Sequence, residues 1–191
     1  MSGLPPDLQR FWDDTQEADQ RAEALANALT DAQFFWQPEG GRRWSVALCL
    51  DHLAVANTVY GRQLAEAIEQ AKRQGWRRGG PAAPGLFGRL FANSLEPPVK
   101  IRSSAPGKIK PMPSRSRLAI MQAYRDAHEH IRRLIEAAAD IDANRATFRN
   151  PFIRIVNVRV ATGFQVISAH DRRHLWQADN VVQELRAARI V

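Results

Sequence analysis

"VISAHDRRHLWQADNV", residues Val166 to Val181, sets His170 and His174 four positions apart in a stretch with helical spacing. The pair belongs to a longer pattern running from about Val158 to Ala188. Within it Val160, Phe164, Ile167, His170, His174, Ala178 and Val181 follow one stripe at three- and four-residue steps. On a helix, side chains four apart share a face, with Cβ atoms about 5–6 Å apart. Two imidazoles so placed reach one divalent ion at nitrogen–metal distances of about 2 Å. They are equally two polar residues on a charged helix, since "DRR" between them reads as a solvated face.

Working outward, three more long helices are expected. Pro5 to Leu29 repeats Leu8, Phe11, Trp12, Thr15, Ala18, Ala22, Leu25 and Leu29 at helical steps. "TDAQFFWQPEGGRRW" then breaks the pattern with Pro38, Gly40 and Gly41. A second helix starts from Ser45, a good N-cap residue, and runs to about Gln74. Its apolar side is read through Leu48, His52, Val55, Val59 and Leu64, which puts His52 on the inward stripe. A third begins at a cap on Ser114 or Ser116, with Leu118, Met121, Tyr124 or Arg125, His128, Ile131, Leu134 and Ile135 along a face. "DIDANRATFRNPFIRI" is expected to be a connector into the last helix. Four long helices with one long crossover predict an all-α four-helix bundle, read as a single domain over residues 1–191.

Between the second and third helices, residues 75–113 hold seven of the eleven prolines and six of the eleven glycines. The segment is expected to be a long loop or insertion, with "GLFGRLFANSL" as one short amphipathic turn or helix. It is also where the charge lies. From Lys72 to Arg117 there are eleven basic residues and one acid, Glu96, so this segment carries +10. With a formal charge of +7 for the whole chain, the remainder sums to −3. A basic segment of this kind draws in an anionic substrate or an acidic partner, nucleic acid or an anionic membrane. Few aromatics (Trp76, Phe87 and Phe91) stand ready to stack on bases, and there is no DNA-reading motif, which weighs against nucleic acid.

The opening "MSGLPPDLQRFWDDTQEADQ" has no apolar run, so no signal peptide is expected, and no stretch approaches the roughly 20 apolar residues of a membrane span. The lone Cys49 has no disulfide partner within the chain; a reducing cytoplasm is the expected location. Phosphate-binding, paired-cysteine, zinc-protease and hydrolase-elbow motifs are missing from the sequence.

Two ligands seldom hold a catalytic metal, and His52 is the histidine available from another inward stripe. Three histidines leave coordination positions open for water or substrate. A core histidine with polar partners remains the other reading of His52. His128 and His130, two apart, point to different faces, and a surface or core-edge position is expected for His128. Asp51 and Asp171 are read as ion-pair partners, Gln177 as either a partner to a ligand or a surface amide, and Cys49 as a small buried hydrophobe. Arg172 and Arg173 flank the ligand face and receive no role.

"RRWSVALCLDHLAVAN" (residues 42–57), "NPFIR" (150–154) and "AHDRRHLWQADNV" (169–181) together resemble the DinB-like (DinB/YfiT-like) superfamily, closest to its branch with an "HxxRHLxQ" last helix. The resemblance covers essentially the whole chain. It implies an up-down-down-up four-helix bundle, commonly dimeric, with a divalent metal held by three histidines that fall on His52, His170 and His174. It implies nickel, zinc, iron or manganese as the ion, and thiol-dependent S-transfer or isomerisation among the activities, with a low-molecular-weight thiol as possible cosubstrate. The functional expectation is a metal-dependent enzyme, a transferase, isomerase or hydrolase acting on a small anionic substrate, in a homodimer. The alternative is a non-catalytic module that binds an anionic partner through residues 72–117.

Overall fold

The computed structural model describes residues 3–98, 109, 111, 115–151 and 156–188. Lys100, Arg102, Lys108 and Lys110 of the basic segment, Ser114, and residues 152–154 of "NPFIR" lie outside them.

Local chemistry fixes most helix starts. Helix α1, Pro6–Asn27, begins on a proline whose missing N–H costs nothing in a first turn. In α4, Val46–Arg73, the Ser45 hydroxyl accepts from the Leu48 N–H at 3.1 Å. In α6, Arg117–Ala137, Ser116 does the same for the Ala119 N–H at 3.3 Å. The expected break after α1 holds two short elements, α2 (Asp31–Phe35) and α3 (Pro38–Gly41). Thr30 opens α2 with a reciprocal capping box to Gln33, while Glu39 and Gly40 in α3 take left-handed φ values of 54° and 63°. Within the basic segment, the sequence 86–95 forms helix α5, Leu86–Leu95. The last helix, α7, spans Val160–Ala187.

The connector is not wholly irregular. Strands β1 (Thr147–Arg149) and β2 (Asn157–Arg159) pair antiparallel, Phe148 opposite Val158, and feed directly into α7. Both central residues are buried, and Asn150 Nδ2–H donates to the Tyr60 hydroxyl of α4 at 3.0 Å. The described structure is therefore mostly helical with one small two-stranded sheet. No described helix is long and apolar enough to cross a membrane.

The long helices pack chiefly as α4 on α6 and α7, and α1 on α6 and α7, with α5 against α7. Polar contacts show the direction of the two α1 pairings. Asp14 and Arg21 of α1 meet Arg172 and Asp179 of α7, while Trp12 and Glu23 of α1 meet Glu136 and Arg125 of α6. Leu64 of α4 lies where Gly163 of α7 comes close: a Cβ there would sit 2.9 Å from Leu64 Cδ2. Helix α5 is pressed onto α7 at Gly88, where a Cβ would fall 2.3 Å from Thr162 Cγ2. Arg172 completes that contact through a bidentate bond to Glu96, the only acid of the basic segment.

The apolar core is in two parts. One contains Phe11, Leu64, Ile68, Ile131, Phe164 and Ile167; the other contains Phe34, Leu50, Leu53, Tyr124, Leu175 and Val181. On α7 the first part ends at Ala169 and the second starts at Leu175, with His170 to His174 between them. A polar layer thus crosses the middle of the molecule.

Two expected stripes are corrected. On α4, Leu48, Val55 and Val59 are only half-buried, while Cys49, Leu53, Ala56 and Tyr60 are buried. Helix α4 is enclosed by α6, α7, α2 and β1, so its burial spreads round the cylinder and no single stripe describes it. Leu118, expected on the inner face of α6, is 76% exposed. Its neighbour Arg117 bonds back to the Ala26 and Leu29 carbonyls and to Asp31, which turns the next residue, about 100° further round, outward.

Candidate metal centre

The polar layer brings His52 of α4 against His170 and His174 of α7. One ring nitrogen from each lies within 4.8 Å of the other two. Ring centroids are 4.5 Å apart for His52 and His174, 4.6 Å for His170 and His174, and 5.0 Å for His52 and His170. His52 and His174 are buried and His170 is half-buried. The three histidines singled out in the sequence do come together.

Their outer nitrogens are held. His52 Nδ1–H donates to the Ile109 carbonyl at 2.6 Å, and His174 Nδ1–H donates to Gln177 Oε1 at 3.0 Å. A carbonyl oxygen only accepts, so each ring carries its proton on Nδ1 and turns an Nε2 lone pair to the centre. His52 Nε2 and His170 Nε2 are 3.2 Å apart. That spacing serves a hydrogen bond from His170, or two lone pairs directed at one ion. Burial, the neighbouring imidazoles and the Arg173 charge all push these rings towards neutrality. His170 is lowered to about 3, chiefly by burial, then by His52 and Arg173. Burial also lowers His52 and His174, outweighing the Ile109 carbonyl at one and Gln177 at the other. Neutral rings, two of them with fixed tautomers, are the donor form a transition metal takes, so the residues fit such an ion.

Other residues fall into place around them. Gln177 is the partner of a centre histidine. Cys49 is fully buried, and burial pushes its thiol up, away from the thiolate a ligand requires. Asp51 pairs with Arg115 at 2.6 Å. A surface groove between α1 and α7, lined by Arg21, Leu25, Trp176, Asp179, Val182 and Arg186, includes none of the three histidines.

Sequence reasoning missed Trp44 and His128. Trp44, just before the Ser45 cap, stacks on His174 at 5.6 Å and 29° and lies 4.9 Å from His52. It covers one side of the centre. His128 was expected at the surface or core edge and is instead completely buried. Its Nδ1 lies 2.8 Å from Asp19 Oδ1 and its Nε2 3.6 Å from Asp171 Oδ1, with the Tyr124 ring tilted at 33° and centred 4.1 Å away. Burial pulls this ring down, but Asp171 and Asp19 prevail and raise it to about 9. Asn57 Nδ2 lies 3.0 Å from His128 Nε2, a contact favourable only to a ring unprotonated there. With a carboxylate at each nitrogen, we take the cation as the resting form. Asp171 is thus an ion-pair partner, as expected from sequence; its partner, distant in the chain, was not.

A family model for the DinB superfamily matches residues 14–178, and the chain belongs to that superfamily. Neither curated proteins nor solved structures gave a significant match.

Proposed function

We propose that this protein is a metal-dependent enzyme whose divalent ion is held by His52, His170 and His174. The convergence of three neutral imidazole nitrogens within 4.8 Å carries the reading. Bound there, a divalent ion with open positions would act as a Lewis acid, bringing water or a thiol to its anion near neutral pH. The chain's own groups prepare the site: Ile109 and Gln177 hold the ring tautomers, and Trp44 shields one side from water.

The substrate is small and anionic, and the reaction is transfer or isomerisation with a low-molecular-weight thiol, or a related hydrolysis. Two observations support the sign of the substrate. Arg173 is close enough to lower all three histidines, and Ile109 of the basic segment reaches His52 directly. The competing role, a docking module for anionic partners, is weakened by pairing within the basic segment. Lys72, Arg78, Arg115 and Arg117 are engaged by Glu69, Asp7, Asp51 and Asp31.

The long helices form one up-down-down-up bundle over residues 1–191, with residues 75–113 inserted between the second and third. The contacts of α1 with α7 in the same sense, and with α6 in the opposite sense, support that order. A cytoplasmic homodimer is the working form. Elemental analysis of untagged protein, purified without chelator, tests the central point. About one equivalent of a transition metal is expected, and less than about a tenth of an equivalent contradicts it.

A further inference from the structure

The polar layer contains a contact that the metal chemistry does not use. Asn57 of α4 and Asp171 of α7 are 2% and 1% exposed, and Asn57 Nδ2–H donates to Asp171 Oδ1 at 2.9 Å. Asn57 stands five residues past His52, about 7.5 Å along the helix axis, and Asp171 directly follows His170. The pair joins the two helices that carry the three imidazoles, close beside those imidazoles.

The geometry points to a registry pin: Asn57 and Asp171 lock α4 against α7 and so set the spacing of His52 from His170 and His174. Apolar contacts alone would not do this, because hydrophobic burial is non-directional. A slip of one turn, about 5.4 Å, would still cover apolar surface on both helices. It would also strand an amide and a carboxylate in the interior, which is expensive. Single buried polar residues fix register in helical assemblies for this reason. The other groups of the layer steady the carboxylate. His128 of α6 faces Asp171, and Asp19 of α1 faces His128 and is bonded by Arg132. Asp171 Oδ2 has no hydrogen-bond partner among the described residues, so the Asn57 bond is the short one that orients the group.

The effect on metal affinity rests on the proposed function; the effect on histidine spacing does not. Asn57→Asp sets two carboxylates face to face, and the double variant Asn57→Asp/Asp171→Asn restores one carboxylate and one amide with the donor on the other side. Co²⁺ titration, read by its visible absorption, gives affinity and coordination geometry. In metal-free protein, ring-proton NOEs between His52 and His174 report their separation. The N57D variant should bind Co²⁺ about tenfold more weakly, with an altered spectrum and a weakened NOE. The double variant should return to within about threefold of wild type and regain the NOE. Ile135→Val, in the other half of the core, should lower stability and leave affinity unchanged. If N57D does not fold, Asn57→Ala removes the donor without adding charge; it should lose affinity, while Asp171→Asn, which keeps an acceptor oxygen, should not. The pin is overturned if folded N57D matches wild type in both readouts, or if the double variant recovers neither. If wild type takes up no Co²⁺, the metal reading fails and the NOE series still decides the pin.

Discussion

Raising the pH of chelator-treated protein from about 7 to about 8.5 should remove roughly 2 kcal/mol of stability through His128 alone. The ring is buried among Asp19 of α1, Asn57 of α4, Tyr124 of α6 and Asp171 of α7, with Arg132 paired to Asp19 behind it. In the folded protein it titrates at about 9, against 6.5 for a free histidine. Its contribution is therefore complete below about pH 6.5 and is lost as pH climbs through 9. Each pH unit in that window is worth about 1.4 kcal/mol where the folded ring is charged and the unfolded one neutral. Over the 1.5-unit interval this amounts to about 2 kcal/mol, slightly reduced by partial titration of both states. Other shifted groups contribute little in this window: the lowered His52, His170 and His174 act mainly below about pH 7, and the raised Cys49, Tyr60 and Tyr124 mainly above about 8.5. Urea unfolding at fixed ionic strength, with constant m-values, measures the slope. His128→Gln should flatten it. Stability that holds or rises across the interval in wild type, or an equal slope in H128Q, would refute the reasoning.

Three further outcomes are expected. Gly88→Ala should cost about 1–2 kcal/mol in urea unfolding, because its Cβ would collide with the short, stiff Thr162 side chain on α7. Ser45→Ala should cost about 1 kcal/mol by freeing the Leu48 N–H, also read by urea unfolding. His170→Ala should weaken Co²⁺ binding by at least about a hundredfold while leaving the far-ultraviolet circular dichroism of the fold intact, since a half-buried ring leaves little cavity.

What the sequence disclosed follows from the range of the interactions involved. His170 and His174 were legible because helical periodicity is local, and Ser116 could be named as one of two caps for the same reason. His52 was placed inward by a stripe through Leu48, Val55 and Val59 that is only half-buried, and it is buried because neighbouring elements enclose α4 on several sides. His128 was not legible, because its environment is made by Asp19, Asn57 and Asp171 from three other helices. The neighbouring His130 carries no information about them. The pairing of Arg78, Arg115 and Arg117 with Asp7, Asp51 and Asp31 was equally invisible, so the basic segment seemed freer than it is. The hairpin escaped notice because each strand has three residues, too few for an alternation to register, with Pro151 between them. Trp44 stood in the motif that carried the family resemblance, but nothing in one sequence said that it stacks on His174.

X-ray absorption at the metal edge of protein loaded with one equivalent of Co²⁺ addresses the central claim most directly. Three imidazole nitrogens at about 2.0–2.1 Å are predicted, falling to two in His52→Ala, with the remaining shell filled by light-atom donors. A shell without histidine scattering, or one unchanged in His52→Ala, would contradict the three-histidine centre.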